Sequence, residues 1–161
     1  MATTVAARVA DPYRDTAVID ARAPRTNQTA VALITIASLL TGWWWLAALM
    51  GLQLLIGLTL GRRWCLPCVL YFEVIQPRIG EGPLEDSRPP RFANAIGAGV
   101  LISATTLFAL GAETAGWLLV GLVAALATLS ATTGFCAGCW LYRRLGGECE
   151  TCAVPGAADT P

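Results

Sequence analysis

The sequence predicts an all-α membrane protein: four transmembrane helices built as two parallel-repeated helical hairpins, with both termini in the cytoplasm. Three observations predict it. All eleven basic residues are arginine, and none falls between Thr26 and Gly61 or between Phe92 and Tyr142. Each of these long apolar stretches is interrupted once, at Thr41-Gly42 and at Gly111-Ala112-Glu113-Thr114. Each half then follows one order: D-x-R-x-P-R, helix, tight turn, helix, aromatic-C-x-x-C-x-L-Y.

Composition bounds the class. Of 161 residues, 55% are hydrophobic and 14% charged, where a soluble domain carries about 25% charge. Mean hydropathy is +0.58. The formal charge of zero says little, because the charges are segregated. The bilayer is the expected partner, and no nucleic acid is expected.

Residues 1–19 hold Asp11, Pro12 and Asp15 and read as a disordered cytoplasmic N-terminus. No small-residue cleavage site follows a short apolar core, so the expectation is insertion without processing. Residues 20–72 form the first hairpin. Its apolar runs cover 30–40 and 43–60, with Trp43, Trp44 and Trp45 suited to a membrane–water interface. The first run is short, so its helix must start near Pro24 with Arg25 snorkelling to the headgroups, or form a shallow re-entrant segment. Residues 73–91 are a cytoplasmic connector. Residues 92–145 form the second hairpin, with apolar runs at 92–110 and 115–133. At 1.5 Å per residue the first of these spans roughly 28 Å, close to the hydrocarbon thickness of about 30 Å. Residues 146–161 read as a flexible cytoplasmic tail.

Orientation follows from arginine. The tight connectors hold Glu113 and no basic residue, whereas Arg22, Arg25, Arg62, Arg63, Arg78, Arg88, Arg91, Arg143 and Arg144 flank the other ends. The positive-inside rule places that side in the cytoplasm of an inner-membrane protein. The halves are copies: Asp20-Ala-Arg-Ala-Pro-Arg25 recurs as Asp86-Ser-Arg-Pro-Pro-Arg91, and the segment 64–71 recurs as 135–142. Copies that start and end on one side are related by an axis along the membrane normal. Ala47/Gly51, Gly57/Gly61 and Gly121/Ala125 offer close helix approach. Gln53 is expected as interhelical glue. The spans carry no charge, which argues against a proton-coupled transporter.

Six cysteines form three C-x-x-C pairs: Cys65/Cys68, Cys136/Cys139 and Cys149/Cys152. All fall on the cytoplasmic side, where thiols stay reduced and structural disulfides are not expected. One reading is thiol redox or sulfur transfer. Trp64-Cys65-Leu66-Pro67-Cys68 has the Trp-Cys-x-Pro-Cys form of thioredoxin active sites. If Pro67 opens a short helix, Cys65 lies at its N-terminus and its thiolate is favoured. Cys149 and Cys152 follow Gly146-Gly147 and could act as a tail shuttle, although Glu148 and Glu150 beside them would raise their thiol pKa. A second reading is a metal site, with Cys65, Cys68, Cys136 and Cys139 holding zinc or an iron–sulfur centre. The absence of histidine excludes Cys/His zinc sites and His-ligated haem. A third is that the cysteines are small apolar fillers at helix ends. A quinone-coupled disulfide generator needs cysteines facing the oxidising compartment, and the outer connectors have none.

The chain resembles a bacterial membrane family, domain-of-unknown-function family 4395. The residues that carry the likeness are Pro77-Arg-Ile-Gly80, Gly82-Pro-Leu-Glu-Asp86, Arg88-Pro-Pro-Arg-Phe-Ala93 and Gly134-Phe-Cys-Ala-Gly-Cys139. Each half is also similar to the two-helix membrane domain carried by some rhodaneses, through Gly134-Phe-Cys136, Leu141-Tyr142, Leu145-Gly146 and Cys149. The resemblance implies thiol redox or sulfane-sulfur traffic beside a soluble thioredoxin- or rhodanese-like partner, with Cys136/Cys139 central. The expected function is therefore thiol–disulfide or sulfane-sulfur exchange without a cofactor. The alternatives are a small sulfur-compound transporter or membrane anchor, and a four-cysteine metal scaffold. Four short helices enclose little core, which leaves room for a homodimer.

Overall fold

A computed structural model of the protein describes residues 10–147. Strand β1 (Val18–Asp20) leads into helices α1 (Arg22–Thr41) and α2 (Trp44–Thr59). A 3₁₀ turn at Arg62–Trp64 precedes α3 (Leu66–Leu70), a π-helical turn at Tyr71–Ile75 and α4 (Gln76–Ile79). Strand β2 (Leu84–Asp86) opens the second half, with α5 (Arg88–Ala109), α6 (Glu113–Thr133) and α7 (Ala137–Arg144). Apart from the two short strands, the regular structure is helical.

Glycine sets two of the helix ends. Gly42 (φ 70°) follows α1 and Gly134 (φ 75°) follows α6, and the left-handed conformation that turns the chain there carries little cost without a Cβ. Helices α5 and α6 are long and apolar enough to cross a membrane. At 20 residues α1 has the length, about 30 Å, but Arg22, Arg25, Asn27 and Gln28 make its first turns polar. Helix α2 is apolar but has 16 residues, about 24 Å. Large apolar side chains stand on the outward faces: Leu33, Leu40, Leu49, Leu118 and Leu122 are exposed, while Thr35 and Ser38 are fully buried. A water-facing surface would invert that arrangement; lipid accepts it.

The hairpins pack crosswise, α1 against α6 and α2 against α5. Their shared core holds Met50, Leu54, Leu101, Ala104, Val120 and Ala127. Of the small-residue pairs, Ala47/Gly51 marks a real interface: a Cβ on Gly51 would lie 2.9 Å from Leu101 Cβ. Gly121 has nothing within 4 Å of such a position, so that pair marks none. Thr35 Oγ1 donates to Val31 O one turn back in α1 (2.7 Å), and Ser38 Oγ donates across the hairpin turn to Trp43 O (2.9 Å). Gln53 differs from expectation. Its Nε2 donates to Trp64 O at 2.8 Å, tying α2 to its own cysteine loop rather than to another helix.

The two halves meet in a short antiparallel ribbon. Ile19 pairs with Glu85, Val18 with Asp86 and Asp20 with Leu84. Since Asp86 is the counterpart of Asp20, exchanging the halves exchanges the partners, so a pseudo-twofold axis passes through the Ile19/Glu85 pair. Local bonding repeats too: Asp20 Oδ1 accepts from Arg22 N–H and Asp86 Oδ1 from Arg88 N–H, both at 2.9 Å. Such aspartate-to-backbone bonds start a turn without help from packing.

The N-terminal expectation needs correction where the chain is described. Residues 10–19 were expected to be disordered, yet Asp11 bonds the amides of Tyr13 and Arg14. Pro12 is buried, and residues 18–20 form β1. The cause is Arg62, whose guanidinium donates to the carbonyls of Pro12, Asp15 and Thr16 at 3.0–3.1 Å. Tyr13 Oη also donates to Glu73 and Ser87 N–H to Ala17 O, so partners distant in sequence hold this segment alongside its local Asp11 bonds.

Candidate functional site

Both described cysteine pairs sit on the first turn of a short helix, at the end of the bundle where α1 and α5 begin. Cys65 caps α3 with φ −87° and ψ 100°, and Cys136 caps α7 with φ −99° and ψ 111°. The cysteine carbonyl accepts the helix's first bond in each half, from Val69 N–H and from Trp140 N–H, both at 2.9 Å. The helix opens at Leu66, one residue before the expected Pro67, and Cys65 lies at its N-terminus as expected. A C-x-x-C sequence across a first helical turn puts both sulfurs on one side of that turn.

The pairs differ in state. Cys65 and Cys68 are joined as a disulfide, with Cα atoms 5.2 Å apart, so the expectation of reduced thiols throughout is corrected for this pair. Cys136 and Cys139 are free. Cys65 is 6% exposed and Gly57 makes room for it, since a Cβ there would lie 3.1 Å from Cys65 Cβ. Cys65 Sγ lies 3.9 Å from Asn27 Oδ1; the disulfide sulfur carries no proton, so this is a contact. Asn27 Nδ2 donates to Asn94 Oδ1 at 3.1 Å, which joins the two halves beside the disulfide.

The free pair is chemically asymmetric. The Cys139 S–H bonds to Cys136 sulfur, and together with the backbone amides of Cys139 and Gly138 and the Ser130 hydroxyl it outweighs burial. The result lowers the Cys136 thiol to about 6, from an ordinary value of 9.0. Cys139 moves the other way, chiefly because its proton is held by the Cys136 thiolate, with burial adding to the effect. The pair therefore holds one proton between two sulfurs near neutrality, a coupled titration. Of the two sulfurs, Cys136 is the one on which the thiolate is favoured and Cys139 the one that keeps the proton.

Two residues here had no signal in the sequence reading. Ser130 is the last buried residue of α6 and looks like any intramembrane serine. Glu85 of β2 is half-buried; burial raises its carboxyl, against the pull of Arg25, and its charge raises Cys139. Its place opposite Ile19 depends on pairing between the halves. Below the ribbon, Asp20 is 2% exposed and accepts from Gly82 N–H (2.8 Å) and Gln76 Nε2 (3.2 Å) as well as from Arg22 N–H. Tyr71 Oη is buried and makes no hydrogen bond; burial, then the Asp20 carboxylate, raises its phenol.

The two pairs do not converge. The disulfide lines a cavity of about 120 Å³ with Asn27, Asn94, Arg62 and Arg91. Cys136 lines a separate cavity of about 140 Å³. Leu54 and Asn94 border both. Among the described residues, no group of three or more cysteine, aspartate or glutamate side chains could hold a metal ion. Cys149 and Cys152, expected as a tail shuttle, lie outside the described residues.

A family model described as "Domain of unknown function (DUF4395)" matches residues 19–146. No curated protein and no solved structure matches the chain.

Proposed function

For a chain that belongs to the DUF4395 family, whose description assigns no activity, we propose thiol–disulfide exchange at the membrane surface with Cys136 as the attacking sulfur. One observation carries this reading: Cys136 caps α7 with Cys139 on the same turn. The Cys136 thiolate attacks a partner disulfide, forming a mixed disulfide and expelling one partner thiolate. Cys139 gives up its proton, attacks Cys136 sulfur and expels the second. Two partner thiols form and the Cys136–Cys139 disulfide closes. The Cys139 proton leaves to water. The Cys65–Cys68 disulfide is the same motif in its oxidised form. Four spanning helices, with the cysteine end in the cytoplasm, complete the proposal; a soluble thioredoxin- or rhodanese-like protein is the proposed partner.

The test uses full-length protein purified in detergent, reduced, and exposed to glutathione disulfide. Cys139→Ser should accumulate glutathione on Cys136, seen by intact mass and peptide mapping. Cys136→Ser should accumulate none on Cys139. If Cys136 stays unmodified while other thiols react, the reading fails. Elemental analysis and mass of untreated protein separate the alternatives. Stoichiometric zinc or iron would favour the metal scaffold, and added sulfur on Cys136 would favour sulfane-sulfur carriage. Unmodified thiols that do not exchange would leave the anchor or transporter.

A further inference from the structure

Cys136 stands at one end of the cavity of about 140 Å³ whose walls come from the apolar helices. Gly97 and Val100 of α5, Leu122 and Leu126 of α6, and Leu54 of α2 line its body. Its polar groups all lie toward the cysteine end: Gln28, Asn94 and Ser130 beside Cys136. A dry apolar cavity of about 150 Å³ holds a benzene ring, so this space suits one flat ring. The occupant must therefore be apolar along its length, polar at one end and, at that end, a match for a dithiol.

We propose that this cavity binds the ring of a lipid-soluble quinone, one carbonyl toward Asn94 and Ser130, as the two-electron partner of Cys136 and Cys139. This rests on the thiol-exchange reading and names a second substrate class for the same pair. Cys136 sulfur bonds to a ring carbon. Cys139 then attacks Cys136 sulfur, which forms the S–S bond, breaks the S–C bond and leaves the electron pair on the ring. The thiolate and thiol lose two electrons and one proton; the quinone takes both electrons, that proton and one from water, and becomes a quinol. A quinone-coupled disulfide generator must face an oxidising compartment because it supplies disulfides there. Oxidation of this pair by quinone makes no such demand on sidedness. A lipid acyl chain would use the walls and leave the polar end unmatched, and a peptide disulfide would leave the apolar walls unmatched.

The test is anaerobic. Reduced full-length protein in lipid nanodiscs receives decylubiquinone, whose substituted ring does not arylate thiols irreversibly. Quinol is followed by absorbance and the disulfide by mass. Expected is one quinol per chain, with a Cys136–Cys139 disulfide and none in Cys136→Ser. Gly97→Leu should slow quinone reduction about tenfold while glutathione-disulfide exchange stays at the wild-type rate. A Cβ there meets only Leu54, at 3.5 Å, so the longer side chain grows into the cavity. Ile96→Trp, on the 38%-exposed rim, is the second variant should the first fail to fold. Absence of quinol with glutathione exchange intact overturns the quinone site and leaves the thiol reading standing. Equal quinol from Cys136→Ser, or wild-type rates in both cavity variants, overturns it as well. Exchange with neither oxidant overturns both proposals.

Discussion

At the scale of single residues, the proposed thiol exchange rests on how one proton is divided between two sulfurs. The Cys139 S–H is the largest influence holding Cys136 at about 6. Lowering the pKa means more thiolate at neutral pH. Alkylation of Cys136 by iodoacetamide should therefore be nearly independent of pH above about 7 and fall as pH drops through 6. In Cys139→Ala the midpoint should move up toward 9.0, the ordinary value; a profile unchanged by that substitution would show that Cys139 does not control it. Asp20 is the structural counterpart. It is buried and accepts three donors, so Asp20→Ala would leave buried N–H groups unpaired, at about 1–3 kcal/mol each. The expected result is a clear fall in thermal stability in detergent, larger than for the exposed Asp15→Ala.

At the scale of elements, close approach between helices decides which small residues matter. Gly51 meets Leu101 so tightly that Gly51→Ala forces α2 and α5 apart, with an expected cost of about 1–3 kcal/mol. Gly121→Ala meets nothing and should be neutral or slightly stabilising, because alanine is the better helix former. Thermal unfolding of the two variants side by side checks the interface. Both glycines belong to small-residue pairs of the same spacing, so periodicity could not rank them. Their distinction comes from which neighbour lies opposite. Gln53 shows the same limit: its type predicted a polar tie, and only the loop geometry chose Trp64 O as its end.

At the scale of the molecule, the repeat becomes a pseudo-twofold arrangement in which each half supplies one strand, one hairpin and one cysteine helix. If the ribbon has this register, Ile19→Cys with Glu85→Cys, in a chain whose six native cysteines are serine, should form a disulfide on mild oxidation. Ile19→Cys with Leu84→Cys should do so far less. The orientation proposal has its own measurement. A membrane-impermeant maleimide should label Cys136 in inverted vesicles and not in intact cells; the reverse would place the thiols outside.

The sequence by itself determined the helical class, the hairpin breaks, the duplicated halves and the family, because helix periodicity, glycine ends and repeated motifs are local signals. It also marked Cys136/Cys139 as a pair, since spacing alone puts two cysteines on one turn. Tertiary structure decided what the pairs do with that placement. Ser130 and Glu85 reach Cys136 and Cys139 only through helix end and strand pairing. The Cys65 and Cys136 cavities stay apart because the crosswise packing leaves Leu54 and Asn94 as their common wall. Proton sharing, burial and separation all depend on what lies opposite in space, and no single stretch of chain contains that information.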